Sequence, residues 1–423
     1  MIINKNTFLN DYLSQSALNE DLYPIVKDIC DNVKYHGDQA LRNYNEQLDH
    51  VTTPELEIPM QDLETAYNNI DENLRSALQQ SHARIKAYQT SIKWSDKQGS
   101  SECYEMYHPL ERVGVYVPGG KASYPSTVLM TVTLAKVAGV KNISVVTPPQ
   151  SDGVPDIVLA ACYIAGADRV FQVGGAQSIA ALAYGTETLP KVDKIVGPGN
   201  QYVAYAKKYL FGQIGIDQIA GPSEIALIID DTADLDAITY DVFAQAEHDE
   251  LARTFVISED TRLLQQLEQR IQDKLTQIER QPIVEASLAH NHFLISVDNF
   301  DAACDLMNQI APEHASIQTA SPRDYLQHVR YVGALFLGHY SPEVIGDYVA
   351  GPSHVLPTNQ TARFTNGLSV NDFLTRHSVI DLSEDTFNQI EKSARDLAHV
   401  EALYNHEQSI KVRTTKESTD DKN

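Results

Sequence analysis

Cysteine is scarce in this chain of 423 residues. The four cysteines lie far apart and form no CxxC pair: Cys30, Cys103, Cys162 and Cys304. Such spacing is typical neither of a disulfide framework nor of a zinc site built from thiolates. We therefore expect reduced thiols, most of them buried as small apolar side chains.

Long apolar runs and an excess of basic charge are also missing. No stretch reaches the roughly 18 consecutive apolar residues of a membrane-spanning helix. The first residues, MIINKNTFLNDYLSQS, lack the basic stretch and apolar core of a secretory leader. The 57 acidic side chains outnumber the 33 basic ones, and the net charge of −24 repels phosphate backbones and anionic lipid. We therefore expect a soluble, cytoplasmic protein that binds no nucleic acid and no membrane.

Alternating strand and helix patterns fill the middle of the chain. Hydrophobic residues make up 43% of the sequence, enough for the cores of two or more domains. From Val113 to Asp230, short β-branched runs are each followed by glycines or prolines and then by a helical pattern. A second series has strand candidates at Thr254–Ile257, Phe293–Val297 and Ala334–Leu337. Strands that alternate with helices predict parallel sheets with right-handed crossovers.

Helical patterns flank these two series. Apolar residues recur with a period close to 3.6 between Leu63 and Lys93, and a further helical stretch runs from about Asp381 to Arg413 before a charged KESTDDKN tail. We predict an α/β protein with two Rossmann-like parallel-sheet domains and small helical N- and C-terminal extensions.

Three glycine turns follow strand candidates: Gly119-Gly120, Gly174-Gly175 and Gly197-Pro198-Gly199. Backbone amides at such turns can face an anion or a dinucleotide, because ligands of open α/β sheets bind at the carboxyl ends of the strands. None of the turns is a GxGxxG fingerprint, and each one alone is also explained as a sharp chain reversal.

Several polar side chains could bind a metal ion. Gln245 and His248 are three residues apart in a helical pattern, so both project from nearly one face. Asp347, His354 and His406 add carboxylate and imidazole groups, which suit zinc better than calcium. For each residue alone, an ordinary surface or hydrogen-bonded side chain is the more common explanation.

Glu313 and His314 place two proton-transfer groups side by side after Pro312. Histidine titrates near neutral pH, and desolvation can raise a glutamate toward it, so the pair could act as bases at two stages of one reaction. In a regular strand the two side chains would point to opposite faces, so a shared site requires an irregular backbone.

Several motifs occur in order along the chain. They are ERVGVYVPGGKASYPSTVLM, VGGAQSIAALAYGTETLPKVDKIVGPGN, AGPSEIALI, AQAEHDELA, APEHASIQT, GDYVAGPSHVLPT and RFTNGLSV. Together they closely resemble the histidinol dehydrogenase family over about Glu111 to Asn371. The resemblance implies NAD-dependent, four-electron oxidation of L-histidinol to L-histidine through histidinal, the last steps of histidine biosynthesis.

The resemblance also implies the metal and the assembly. It implies one Zn²⁺ per subunit, held by residues that match Gln245, His248, Asp347 and His406. In the family the last of these comes from the C-terminal region of the other subunit, which implies a homodimer with exchanged C-terminal segments. A neutral glutamine ligand leaves only one anionic ligand and keeps the ion a strong Lewis acid.

Site residues follow from the same resemblance. Glu313 and His314 match the family's general bases, and Tyr116, Gln177 and Asn200 match its NAD contacts. Its substrate contacts match Ser223, Gln245, His248, His314, Asp347, His354, Glu401 and His406. Two departures occur: Asn405 precedes His406 where the family usually has alanine, and Asn359-Gln360 replaces small residues after HVLPT.

We divide the chain accordingly into an N-terminal extension, 1–12, and a discontinuous first α/β domain for catalysis and metal, 13–115 plus 223–370. Residues 116–222 form the NAD domain, and 371–423 form a C-terminal helical segment on the partner subunit. Two other functions remain open: a paralogous zinc and NAD dehydrogenase of another small polyol or amino alcohol, and a non-enzymatic α/β metabolite-binding protein.

Overall fold

A computed structural model describes residues 2–13, 21–96, 98–119 and 123–414. The chain divides into two compact units. The first consists of Met1–Lys93 and Pro109–Phe373, and the second consists of Trp94–His108 and Leu374–Asn423. Within the described ranges, no helix combines the length and the apolar character needed to cross a membrane.

Helices and strands alternate through most of the chain. The helices are α1 Lys5–Asp11, α2 Leu22–Leu48, α3 Met60–Asn69, α4 Glu72–Ile92, α5 Pro125–Ala138, α6 Asp156–Ala165, α7 Gly175–Tyr184, α8 Gln201–Leu210, α9 Leu235–Ala246, α10 Thr261–Leu275, α11 Gln281–Asn291, α12 Phe300–Ile310, α13 Glu343–Tyr348, α14 Glu384–Val400 and α15 Tyr404–Thr414. The strands are β1 Ile2–Asn4, β2 Glu57–Ile58, β3 Gln98–Gly99, β4 Cys103–Pro109, β5 Arg112–Tyr116, β6 Asn142–Thr147, β7 Arg169–Gln172, β8 Lys194–Val196, β9 Gly215–Ile216, β10 Glu224–Ile229, β11 Arg253–Ser258, β12 His292–Ser296, β13 His314–Gln318, β14 Ala334–Leu337 and β15 Leu374–Ile380. Short 3₁₀ turns span Pro322–Gln327, Thr361–Arg363 and Val370–Phe373.

The first sheet has six parallel strands in the order β1-β12-β11-β10-β13-β14. Its central strands, EIALII in β10 and RTFVIS in β11, are buried along their whole length, as expected for strands covered on both faces. One apolar cluster packs the sheet against α1 and α12, and another packs it against α9, α10 and α11. These two layers fix where the first residues of β10 and β13 lie.

The second sheet has the order β2-β7-β6-β5-β8-β9, parallel except for β2. Strand order reverses between β5 and β8, which makes the carboxyl ends of these strands the expected ligand crevice. Helices α3, α4, α5 and α6 pack together, and α2, α7 and α8 form a separate group. Right-handed crossovers place α5 and α6 on one face and α7 on the other.

The second unit contains a three-stranded sheet with the order β15-β4-β3 and the helical pair α14 and α15. Apolar side chains of this pair are widely exposed, among them Leu397 at 65%, Val400 at 84% and Tyr404 at 63%. A pair of helices this size normally buries such side chains, so this surface is suited to a partner.

The predicted α/β class with two parallel sheets is confirmed. The predicted helical extensions are also confirmed, as α1 near the N-terminus and α14 with α15 near the C-terminus. Beside these helices, β1 joins the edge of the first sheet and β15 pairs with β4. The packing also differs from the predicted grouping of residues 13–115 with 223–370, because α2, α3 and α4 bury their apolar faces against helices of the second sheet. The KESTDDKN tail lies outside the described residues.

Candidate active site

Glu313 and His314 converge on the backbone of one neighbouring residue, Glu224 at the start of β10. The amide of Glu224 donates to Glu313 Oε2 at 3.0 Å, and its carbonyl oxygen lies 3.1 Å from His314 Nδ1. This is possible because Ala311 has a φ of 45°, Pro312 follows it, and β13 begins only at His314. The irregular backbone brings the two side chains to within 3.9 Å of each other.

The hydrogen-bond partners of His314 indicate which of its ring nitrogens carries a hydrogen. Nδ1 lies 3.1 Å from the Glu224 carbonyl and 3.3 Å from Gln245 Oε1, both of which can only accept, so Nδ1 carries hydrogen. Nε2 is buried and has no hydrogen-bond partner among the described residues. Burial lowers the pKa of His314 to about 4, and the nearby Asp347 carboxylate only partly offsets this. The ring is therefore a neutral base with its lone pair on Nε2.

Glu313 is a buried carboxyl group with little compensating charge. Burial raises its pKa well above the ordinary value, and the negative charges of Asp347 and Glu224 raise it further. The Glu224 amide and the Ser223 hydroxyl hydrogen-bond to the carboxylate and act in the opposite direction. A glutamate held in this way can exchange a proton near neutral pH.

A cluster of metal-ligating groups surrounds His314. Ligand atoms of His314, Glu343 and Asp347 all lie within 4.8 Å of one another. Both carboxylate oxygens of Glu343 and the Nε2 of Gln245 are buried without a hydrogen-bond partner among the described residues. Burial raises the pKa of Glu343 well above its usual value, and repulsion from Asp347 and Glu313 raises it further. Crowded buried carboxylates of this kind fit a divalent cation, whose charge would stabilise their ionised forms.

His354 joins this cluster to the second sheet. Its Nδ1 lies 3.2 Å from the Asp347 carbonyl oxygen and 3.8 Å from Asp347 Oδ1. Its Nε2 lies 3.3 Å from Thr127 Oγ1 in the first turn of α5. Burial lowers the pKa of His354, and the charge of the exposed His248 lowers it further. The imidazoles of His354 and His248 therefore lie close enough to act on each other electrostatically.

A cavity of about 310 Å³ opens onto this cluster. Its volume lies at the lower end of the range for small-molecule sites. The side chains that line it include His314, Phe336, Asp347, Ser353 and His354. Of the predicted site residues, His314, Asp347 and His354 line this cavity. Glu313 and Gln245 contact His314, Ser223 hydrogen-bonds to Glu313, and His248 acts electrostatically on His314 and His354.

Glu401 and His406 belong to the second unit. Glu401 follows the last residue of α14, and His406 lies in the first turn of α15. Both side chains are exposed. Their roles as substrate and metal contacts remain predictions.

The predicted NAD residues lie at the carboxyl ends of the second sheet. Tyr116 ends β5, and its hydroxyl accepts a hydrogen bond of 3.4 Å from the Gly175 amide at the start of α7. Gln177 is buried, and its Oε1 has no hydrogen-bond partner among the described residues. Asn200 caps α8 by accepting from the Val203 amide at 3.2 Å. Tyr116 and Gln177 thus border the predicted crevice, whereas the side chain of Asn200 already has a structural partner.

Two glycine turns require glycine for packing. A Cβ on Gly174 would lie 2.5 Å from Pro148, and one on Gly197 would lie 2.1 Å from the Tyr116 carbonyl oxygen. Close backbone approach therefore explains these glycines and also leaves a shallow cradle. The cradle and the unpartnered Gln177 oxygen fit a dinucleotide. In the third turn, Gly120 lies outside the described residues.

Glu343 was not among the residues predicted from the sequence. It lies on α13 four residues before Asp347, so both carboxylates project from one helical face. The segment PEVIGDY contains this i, i+4 pair of acidic residues, which is the signal that could have identified Glu343.

Comparisons with known proteins agree with this geometry. The family model described as histidinol dehydrogenase matches residues 14–414. A histidinol dehydrogenase of Staphylococcus saprophyticus is 82% identical over all 423 residues of both chains. One from a bovine strain of Staphylococcus aureus is 69% identical over 414 residues, covering 97% of this chain and all of that protein.

Among solved structures, the histidinol dehydrogenase of Elizabethkingia anophelis superposes with a TM-score of 0.93 at 31% identity. The match covers 98% of this chain and 96% of that one. With a family match along most of its length, relatives of high identity and a shared three-dimensional structure, this chain belongs to the histidinol dehydrogenase family.

Proposed function

We propose that this chain oxidises L-histidinol to L-histidine through histidinal, using two molecules of NAD in turn, in the last steps of histidine biosynthesis. The observation that carries the proposal is the convergence of Glu313 and His314 beside Asp347 and His354. Family membership makes the chain an oxidoreductase. The two other functions left open by the sequence are not favoured, because relatives as similar as 82% identical are histidinol dehydrogenases.

In the first oxidation His314 removes the hydroxyl proton of the alcohol. Its neutral ring holds a free lone pair on Nε2, while Nδ1 is anchored to the Glu224 carbonyl oxygen. NAD, when bound, accepts the hydride in each oxidation. Holding substrate and base together in one cavity makes the transfer effectively intramolecular.

In the second oxidation Glu313 activates the water that hydrates the aldehyde. The carboxylate can accept this proton because burial raises its pKa, and the Glu224 amide and the Ser223 hydroxyl keep it oriented. The proton that His314 took in the first oxidation passes to the aldehyde oxygen as the water adds. The neutral His314, whose Nδ1 lies 3.9 Å from Glu313, then removes a proton from the hydrate. One site can therefore act twice without releasing the aldehyde.

We propose that Gln245, His248 and Asp347 of one chain, with His406 of a second copy, would hold one zinc ion per subunit. A zinc ion held by these residues would supply Lewis-acid polarisation and a charge that anchors the imidazole and amine of the substrate. The cluster of His314, Glu343 and Asp347 supports a cation at Asp347. Ser223, His354 and Glu401 complete the proposed contacts to the polar groups of histidinol.

A homodimer with exchanged C-terminal segments is part of this proposal. The exposed apolar side chains of α14 and α15 support it, since they offer a surface for a second copy. A cytoplasmic location also remains a prediction.

The experiment that tests the function counts NADH formed per L-histidinol consumed by the purified, zinc-loaded protein. Two NADH per substrate, with histidine as product, is the expected result. One NADH would indicate an alcohol dehydrogenase that stops at the aldehyde, and none would contradict the proposal.

A further inference from the structure

Asp49 has a buried carboxylate oxygen with no evident purpose in the fold. It caps the C-terminus of α2 through its backbone, whose amide donates to the Asn45 carbonyl oxygen at 3.2 Å. Its Oδ2 is inaccessible to solvent and has no hydrogen-bond partner among the described residues. A buried acceptor without a donor is costly, and such groups are uncommon unless a ligand supplies the donor.

The position of Asp49 is fixed by its neighbour one turn earlier. Asn45 shares its helical face and donates to the carbonyl oxygen of Gln172, the last residue of β7, at 2.9 Å. Asp49 follows Asn45 by one helical turn, so it lies near the carboxyl end of β7. Its charge also acts on Tyr116, whose pKa is raised to about 12 mainly by burial and further by Asp49. The Tyr116 hydroxyl in turn meets the Gly175 amide.

Among the described residues, Asp49 Oδ2 and Gln177 Oε1 are buried acceptors without a hydrogen-bond partner, and both require donors. Hydroxyl groups of a ribose supply such donors, and the nearby amides at the start of α7 suit a diphosphate. A carboxylate that binds ribose hydroxyls in this setting discriminates between NAD and NADP, because a 2′-phosphate would bring negative charge against it.

The two helical groups of the second sheet indicate which ribose is involved. Asp49 lies on α2, in the group with α7 and α8, whereas the catalytic cluster meets the second sheet at Thr127 on α5. These groups lie on opposite faces of the sheet. A dinucleotide that crosses the carboxyl edge with its nicotinamide near His354 has its adenosine half on the side of Asp49.

We propose that Asp49 accepts hydrogen bonds from the adenosine ribose of NAD and thereby selects NAD over NADP. The inference rests on the proposed NAD-dependent function. Asp49 is a specificity residue that contacts the cofactor and takes no part in the proton transfers.

The test measures dissociation constants of NADH and NADPH by nucleotide fluorescence, without histidinol. Asp49→Asn keeps the size of the side chain and removes its charge. We expect it to weaken NADH binding about tenfold, the loss of one charge-assisted hydrogen bond. NADPH binding should stay the same or become tighter. The ratio of the two dissociation constants, which measures the preference for NADH, should therefore fall by at least about tenfold. AMP, used as a competitor, should lose affinity to the same extent as NADH, and NMN should not.

Glu46→Gln is the matched control, because Glu46 is exposed on the same turn of α2 and also loses one negative charge. It should leave both dissociation constants within about twofold, as expected for a screened surface charge. Asp49→Ser provides a second neutral variant, and circular dichroism checks the fold of each. Unchanged NADH binding in both folded Asp49 variants, or a loss confined to NMN, would overturn the inference alone. A wild-type protein that binds neither nucleotide would overturn the NAD-dependent function itself.

Discussion

The two ring nitrogens of His314 have different surroundings, and this difference decides what the side chain can do. Nδ1 faces the carbonyl oxygens of Glu224 and Gln245, whereas Nε2 has no partner among the described residues. A histidine buried only for packing would normally satisfy both nitrogens. The asymmetry supports its role as a base.

His314→Asn should lower kcat for histidinol by about 10²- to 10⁴-fold at full zinc occupancy, the usual contribution of a general base. The asparagine amide can still contact the Glu224 carbonyl, so the fold should be retained. Steady-state rates and metal content of the same preparation give the measurement. His328→Asn, an exposed histidine outside the site, is the control. A wild-type rate for His314→Asn would remove the residue from the mechanism.

Glu313→Gln should slow the oxidation of histidinal about 10²-fold more than that of histidinol, because only the second step needs an activated water. The glutamine oxygen can still accept from the Glu224 amide. Rates measured separately with histidinol and with histidinal give the comparison, and an unchanged unfolding temperature serves as the control. Equal losses on both substrates would contradict the division of roles.

The buried imidazole of His292 should make the stability of the fold depend on pH. It is the first residue of β12, and burial lowers its pKa to about 4 from the ordinary histidine value of about 6.5. The unfolded chain therefore binds a proton below pH 6.5 that the folded chain does not bind until about pH 4. Stability from this group is fully present above pH 6.5 and is lost as the pH falls toward 4.

Between pH 7 and 4.5 the wild-type protein should lose up to about 3 kcal/mol more unfolding free energy than His292→Gln, from about 1.4 kcal/mol per pKa unit. Urea titrations of both proteins at each pH measure the difference. Comparing the two proteins removes the contributions of all other titrating groups. Parallel pH profiles would show that folding does not lower the pKa of His292.

At the scale of elements, the two sheets contribute opposite edges to the site. Glu224 and His314 are the first residues of β10 and β13, whereas Tyr116 ends β5. The catalytic pair therefore lies at the amino edge of the first sheet, and the proposed NAD crevice lies at the carboxyl edge of the second. A search of carboxyl edges alone would have found only the second of these.

A buried ion pair holds one turn of the proposed NAD crevice. Lys207 on α8 donates to Asp217 Oδ1 at 2.7 Å and to the Gly197 carbonyl oxygen, and the side chains of both ionic partners are only 4% exposed. The Gly197 amide donates to Asp217 Oδ2 at 2.7 Å. The pair thus ties the turn after β8 to the helix that follows it.

Lys207→Met should reduce the unfolding free energy by about 3–5 kcal/mol, because it leaves Asp217 buried without a counter-charge. Lys136→Met is the matched control, since its ion pair with Asp168 is about one-third exposed, with side-chain values of 32% and 38%. The control should lose only about 0–1 kcal/mol. Denaturant unfolding measures both, and similar losses would argue against a structural role for the buried pair.

The whole molecule has an uneven surface: a net charge of −24 overall, yet exposed apolar side chains along α14 and α15. A net charge of this size favours solubility, and the apolar surface is where a second copy is proposed to bind. If His406 of a second copy completes the metal site, assembly and metal binding must change together.

Val400→Asp places a charge on a side chain that is 84% exposed within this apolar surface. We expect a shift from dimer to monomer in sedimentation velocity and a parallel loss of bound zinc, measured by mass spectrometry. Tyr35→Asp alters a side chain that is 73% exposed on α2 and should change neither. A monomeric variant that keeps its zinc would show that His406 is not supplied by the partner.

Much of the fold could be predicted from local patterns. The alternation of β-branched runs with helical segments predicts β5 to β8 and the parallel sheets, because each element is set mainly by its own residues. The placement of α2, α3 and α4 on the second sheet could not be predicted, since periodicity gives the apolar face of a helix but not the surface that it covers.

By itself, the sequence determined the α/β class, the ordered motifs of the family and the chemical character of Glu313, His314 and Asp347. Only the tertiary structure decided which of these side chains meet. The φ of 45° at Ala311 turns Glu313 and His314 toward one backbone, and α13 brings Glu343 to them. Local propensity fixes helices and strands, but contacts between distant residues depend on how the sheets and helices pack, and the chemistry of this site depends on those contacts.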